Sequence, residues 1–168
     1  MNEELLYEVD AGDQVIGPRP RGELHRLGLR HRAVHILVFN DRGELFLQRR
    51  SPDKDINPGL WDTSAAGHVD FGEGYDACAR RELAEELGLA DPAGLRLLFK
   101  LEASARTGWE FVQAYRLEHT GELRLNPDEI DEGRWFPVHE VDDWARRDGA
   151  GLTDSFRLIW EVYRGGAG

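Results

Sequence analysis

The chain has 168 residues, 40% of them apolar, a formal net charge of -11 at pH 7 and one cysteine. That length supports one domain with a core and is short for two. The negative charge argues against a nucleic-acid backbone or an anionic membrane as the main partner, and a lone cysteine excludes an internal disulfide framework.

The opening MNEELLYEVD lacks the charged start and apolar core of a signal peptide, and no segment reaches membrane-spanning length, so a cytoplasmic location is expected. Residues 1–30 read as a hairpin and lead-in. Leu5 to Val9 and Val15-Ile16 flank Ala11-Gly12-Asp13-Gln14, Pro18 and Pro20 end the hairpin, and Gly22 to Arg32 is irregular or a short helical turn. Ala33 to Phe39 is the most strand-like run, Asn40 to Gly43 a turn, and Glu44 to Arg49 the returning strand. Ser51 to Gly59 is a Pro- and Asn-bearing loop, and Trp61 to Val69 an extended stretch that delivers the chain to a glycine-rich turn.

Tyr75 to Leu87 lacks Pro and Gly, and Ala79, Leu83 and Leu87 recur at four-residue steps, which predicts a helix with one apolar stripe, stopped by Gly88. Residues three and four apart are neighbours on a helix, so Glu82 lies beside Glu85 and Glu86. Like charges at that spacing disfavour the helix by a few tenths of a kcal/mol per pair unless something positive sits among them. Arg81 answers part of this. The remaining oxygens are ligand chemistry for a hard divalent cation, Mg²⁺ or Mn²⁺. A solvated acidic face with an Arg81–Glu85 pair is the alternative.

Beyond the helix, Leu95 to Ser104 and Trp109 to Glu118 read as strands joined through Ala105 to Gly108. Asn126 to Gly133 is an acidic loop, Arg134 to Phe136 a strand, Pro137 to about Arg147 a helix, and Ser155 to Arg164 a last helix capped by Asp154. Gly165 to Gly168 is expected to be a disordered tail. Strands mixed with three helices imply an α/β sandwich.

Gly67, Glu73, Arg81-Glu82, Leu83, Glu85-Glu86, Leu87 and Gly88 stand at spacings that resemble the Nudix box, complete at every defining position. The resemblance implies an α/β/α sandwich with a mixed sheet between helices, covering 1–168 as one domain. It implies a Mg²⁺- or Mn²⁺-dependent hydrolase that splits the diphosphate linkage of a small nucleoside diphosphate derivative. It puts metal on Glu82, Glu85 and Glu86, with the Gly67 carbonyl and Glu73 as further ligands or support, and makes Arg81 the group that orients the glutamates. The general base would be Glu82 or a glutamate from a later loop, of which Glu129 is the leading candidate.

Arg30 to His35, Gln48 to Ser51, Pro58 to Ser64 and Gly67-His68 are similar to the branch containing type I isopentenyl-diphosphate isomerase. That enzyme uses a cysteine just before its Gly-His pair, where this chain has Ala66; Cys78 sits inside the boxed helix and cannot replace it. The same resemblance matches His25, His31, His68 and Glu110 to a second metal site, suited to Zn²⁺ or Mn²⁺. A non-catalytic sensor of a diphosphate ligand is a third reading.

Arg49, Arg50 and Lys54 form the clearest basic cluster and are candidates to bind a substrate phosphate, or else to pair with carboxylates. Trp61, Trp109 and Phe111 are read as core aromatics that could instead stack a base, and His35 as a packing residue on its strand. A homodimer is open on general frequency.

Overall fold

The structure is a computed structural model and describes residues 4–167. The first three residues and Gly168, the end of the expected tail, lie outside the described residues. Strands β1 (Leu5–Val9) and β2 (Val15–Pro20) pair antiparallel, with Pro18 opposite Tyr7 and Pro20 opposite Leu5. The prolines therefore lie within the second strand instead of ending it, which a two-stranded ribbon tolerates because each strand has a free edge. Helix α1 (Arg21–Leu27) follows and is closed by Gly28 at φ 63°, so the segment read as irregular or a short helical turn is helical over its first half.

A seven-stranded mixed sheet is built on β3 (His31–Phe39). β3 runs antiparallel to β4 (Leu45–Arg50) at Phe39–Leu45, then antiparallel to β6 (Ala65–His68), and parallel to β8 (Glu110–Glu118) along its whole length. β5 (Trp61–Asp62) and β9 (Ile130–Phe136) both pair with β4, and β7 (Arg96–Leu101) closes the other edge on β8. Side chains alternate between the two faces. Val34, Ile36 and Val38 of β3 pack with Ala79, Leu83 and Leu87 of helix α2 (Tyr75–Leu87), while Leu37 and Phe39 pack on the other face with Val141 of α3 (Val138–Arg147) and Phe156, Ile159 and Trp160 of α4 (Asp154–Val162). This is the expected α/β/α sandwich, with four helices where three were predicted.

Other boundaries move for local reasons. Ile130 to Gly133, predicted as loop, already pairs with β4, so the acidic residues there alternate along an edge strand. The β7–β8 connection is a 3₁₀ turn over Ala105–Thr107, and Trp109 sits at φ 64°, outside β8. Thr153, not Asp154, caps α4, its hydroxyl accepting from Phe156 N at 3.1 Å. Helical backbone continues through Ala167 in a wide turn where a disordered tail was predicted, held by Tyr163 stacked on Phe39 and by the Arg164–Asp142 ion pair. Among the described residues no helix is long and apolar enough to cross a membrane.

Candidate active site

Helix α2 buries the stripe its periodicity predicts, but the buried side also includes Glu82 and Glu86, at 8% and 6% exposure. Burial raises both carboxyls well above the ordinary carboxylate range, and for Glu82 the nearby Glu86 adds to it. Burying an unpaired carboxylate costs several kcal/mol, so the site must supply compensation. Glu86 Oε1 accepts from Gln48 Nε2 and from Ala66 N, each at 3.0 Å. Glu82 Oε1 accepts from Arg81 Nη1 at 2.9 Å.

Arg81 is the hub of the cluster. Its guanidinium donates to both oxygens of Glu73, to Glu82, to Glu85 at 3.2 Å and to the His68 carbonyl at 3.1 Å, and lies 3.4 Å from Asp70. The Glu85 contact is exposed and worth no more than about 0.5 kcal/mol, so the cluster's order comes from Glu73 and Glu82. Gly67, on β6, is needed for space: a Cβ there would fall inside the Glu82 carboxylate. Two buried carboxylates, an exposed third and this open backbone position form a hard, oxygen-rich donor set that suits Mg²⁺ or Mn²⁺.

Lys54 pairs with Glu129, and both lie close enough to Glu86 to influence its ionisation in opposite directions. Glu129 and Lys54 thus join the boxed helix at one end of the sheet. Arg50 is half-buried there, its Nε donating to Ile56 O at 3.0 Å. Arg49 does not join them. It pairs instead with Asp131 and Glu132 and lies over the Trp61 ring. Trp61 packs against Phe136 and Trp144 and Phe111 is buried, as core residues, whereas Trp109 is 38% exposed.

The histidines assemble. His25, His31 and His68 have ring centroids 5.1 to 5.3 Å apart, and with Glu110 they offer ligand atoms that all lie within 4.8 Å of one another. His31 Nδ1 faces the Leu29 carbonyl at 2.9 Å, so Nδ1 carries a proton. The buried Nε2 has no hydrogen-bond partner and stands 3.4 Å from Glu110 Oε2. A proton on Nε2 or a cation shared with Glu110 would satisfy both groups. His25 is pushed down to about 4 by burial, then by His68 and His31, and is a neutral ring at neutral pH.

A cavity of about 280 Å³ opens on the α4 side of the sheet, bounded by His68 and Glu110 and by His35, Arg50 and Asp62. His35, predicted to pack, is buried yet lines it. Gln48, Asp62 and Asp70 have no periodicity to mark them in the sequence, and their roles depend on pairings between strands.

Residues 29–156 match the NUDIX domain family. An uncharacterized Nudix hydrolase of Pseudomonas aeruginosa is 42% identical over 135 residues, covering 79% of this chain and 78% of that protein. An isopentenyl-diphosphate Delta-isomerase of Serratia proteamaculans is 32% identical over 160 residues, covering 94% and 89%. Among solved structures, a Deinococcus radiodurans protein superposes with a TM-score of 0.81 at 31% identity, covering 96% of this chain and all of that one.

Proposed function

This chain belongs to the Nudix hydrolase family, enzymes of phosphoric anhydride bonds that generally use divalent metal ions, and we propose that it hydrolyses the diphosphate linkage of a nucleoside diphosphate derivative or related small organic pyrophosphate, with Mg²⁺ or Mn²⁺ held by Glu82, Glu85 and Glu86. The observation that carries this reading is the burial of Glu82 and Glu86 against a glycine that leaves them room. A divalent ion bound there would offset the charge of the diphosphate and make water more acidic. The Gly67 carbonyl is a further ligand. Arg81, anchored on Glu73, orients Glu82 and Glu85. Glu129, or else Glu82, takes the proton of the attacking water, and Arg50 and Lys54 bind phosphate oxygens. His25, His31, His68 and Glu110 hold a second ion, Zn²⁺ or Mn²⁺. The products are two monophosphates, or a monophosphate and pyrophosphate from a triphosphate, formed in the cytoplasm.

Isomerase chemistry is disfavoured by Ala66, whose methyl group can act as neither acid nor base. Cys78 cannot substitute, because burial pushes its thiol up and its Sγ donates to the His68 carbonyl from the other face of the sheet. A ligand sensor would have no need of the full glutamate set. The test is product release from nucleoside di- and triphosphates, nucleotide sugars, dinucleotides, coenzyme A esters and isopentenyl diphosphate, with Mg²⁺ and Mn²⁺. Glu86→Gln should lower kcat by roughly 10²-fold or more on whichever diphosphate turns over. Full activity in that variant, or isomerised isopentenyl diphosphate in place of hydrolysis, would overturn the assignment.

A further inference from the structure

The sheet separates two halves of the site. Gly67 faces α2 and Glu82, whereas its neighbours Ala66 and His68 turn their side chains into the cavity on the α4 side. The Ala66 N–H donates to Glu86 Oε1 while its methyl group lines the cavity, so β6 is a wall common to both. A diphosphate held at the glutamates therefore lies within a residue's reach of the cavity, which is placed to receive the group bonded to it.

The cavity's chemistry restricts that group. At about 280 Å³ it lies just below the roughly 300–1,000 Å³ of pockets that enclose drug-sized ligands, so it has room for one compact group. Among the described residues no Phe, Tyr or Trp lines it, so a base finds no stacking face, and Ile56 is its largest aliphatic side chain, so an isoprenyl chain finds no apolar wall. Of its guanidinium groups, Arg21 pairs with Asp55 and Arg106 with Glu161, while Arg50 is assigned above to the diphosphate itself.

His35 supplies the positive signal. It sits opposite Ala66 in the β3–β6 pairing and lines the cavity. Its Nδ1 lies 2.8 Å from Thr63 Oγ1, and the Thr63 hydroxyl donates its own proton to the Ala65 carbonyl at 3.2 Å. With the Thr63 proton on the Ala65 carbonyl, the Thr63 oxygen accepts and Nδ1 is the protonated nitrogen. Asp62 Oδ1, 3.7 Å from Nδ1, favours the same tautomer. In the neutral ring Nε2 then keeps a lone pair, with no hydrogen-bond partner among the described residues.

We infer that the group bonded to the diphosphate is a compact, hydroxyl-bearing, non-aromatic one, a sugar or polyol, and that His35 Nε2 accepts a hydrogen bond from one of its hydroxyls. This rests on the hydrolase reading above. The experiment compares kcat/KM for UDP-glucose, ADP-ribose and CDP-glycerol with that for CDP-choline and dimethylallyl diphosphate. The hydroxylated substrates should be preferred by about tenfold or more, and His35→Phe should collapse that preference toward unity by raising KM more than it lowers kcat. Thr63→Val, which frees the tautomer, should weaken the preference in the same direction and serves if His35→Phe does not fold. Titrating glucose 1-phosphate and glycerol 3-phosphate into the metal-free protein, with the His35 Nε2 ¹⁵N resonance as the readout, distinguishes sugar from polyol without any turnover. Equal kcat/KM across the panel, or a preference untouched by either variant, would overturn the inference while leaving the hydrolase intact. Absence of all hydrolysis together with a shifted Nε2 resonance would instead remove the hydrolase reading and keep the contact.

Discussion

Arg81 holds both oxygens of Glu73, with Nε 3.0 Å from Oε2 and Nη2 2.6 Å from Oε1. The positive charge among the boxed glutamates is thus immobilised from outside the proposed ligand set, and its remaining Nη1 is aimed at Glu82 and Glu85. A lysine would keep the charge and lose the fork. Arg81→Lys should lower divalent-metal affinity and kcat by roughly 10–100-fold, the scale for groups that orient metal ligands. Calorimetric metal titration beside steady-state kinetics checks this, and an unchanged metal affinity would mean that Arg81 acts on substrate instead.

Gly67→Ala isolates the close approach of β6 to α2. Gly67 is not among the residues at positive φ, so the substitution introduces no backbone strain. The new methyl group collides with Glu82. Overpacking of this kind costs about 1–3 kcal/mol, and the displaced carboxylate should weaken metal binding at the same time. Gly17→Ala, with nothing near its added Cβ, is the control. Thermal melts with and without Mg²⁺ separate the two effects: the stabilisation that Mg²⁺ gives the parent should shrink in Gly67→Ala and persist in Gly17→Ala.

Glu82 and Glu86 give the metal-free protein a distinctive pH dependence. Their folded-state pKa values are raised above the ordinary 4.5, by burial foremost. The folded state then binds more protons than the unfolded chain, so stability is greatest below the unfolded pKa and falls as pH rises through the raised folded values. Melting temperature in chelator should decline from about pH 5 into the alkaline range, and saturating Mg²⁺ should flatten the decline by stabilising the ionised pair. A chelated profile that rises over this range would contradict the burial argument.

The histidine cluster predicts a metal signature of its own. His31→Ala removes the buried imidazole facing Glu110 and should reduce Zn²⁺ or Mn²⁺ affinity by at least roughly 10–100-fold, measured by metal content after dialysis and by calorimetry. Glu86→Gln should leave that binding in place, because its carboxylate serves the other site. Equal loss of one ion class in both variants would merge the two sites into one.

The boxed helix was legible because periodicity and fixed spacing carry it: Ala79, Leu83 and Leu87 are fully buried as expected, and Gly88 closes the helix at φ 70°. The histidine set was legible only through resemblance, since residues 25, 31, 68 and 110 share no local pattern and are gathered by the β3–β6 and β3–β8 pairings. Arg49 and Arg50 looked equivalent as neighbours in a basic run. The β4–β9 register shifts between them, and one pairs with Asp131 while the other lines the cavity. His35 reads as an ordinary strand residue because the fixing of its tautomer depends on Thr63, 28 positions away.

Asp13 shows the same limit and yields the last prediction. In the sequence it is one polar residue of a turn. In the fold it is buried at φ 62°, its carboxylate accepting from Arg32 Nε at 2.7 Å, Tyr75 OH at 2.8 Å and Lys100 Nζ, so it ties the N-terminal hairpin to β3, to the first residue of α2 and to β7. Burial alone would raise its pKa, but the hydrogen bonds from Arg32, Lys100 and Tyr75 outweigh it and the net shift is downward. A depressed folded pKa contributes stability that is present above the unfolded value and lost as pH falls. Asn tolerates positive φ, so Asp13→Asn removes the charge without straining the turn. It should cost about 2–4 kcal/mol near neutrality, toward the 3–5 kcal/mol of a broken buried pair, and should remove part of the acid-side loss of stability. Denaturant melts at pH 7 and at pH 3 test both statements: a cost as large at pH 3 as at pH 7 would mean that packing, and not the charge of Asp13, anchors the hairpin.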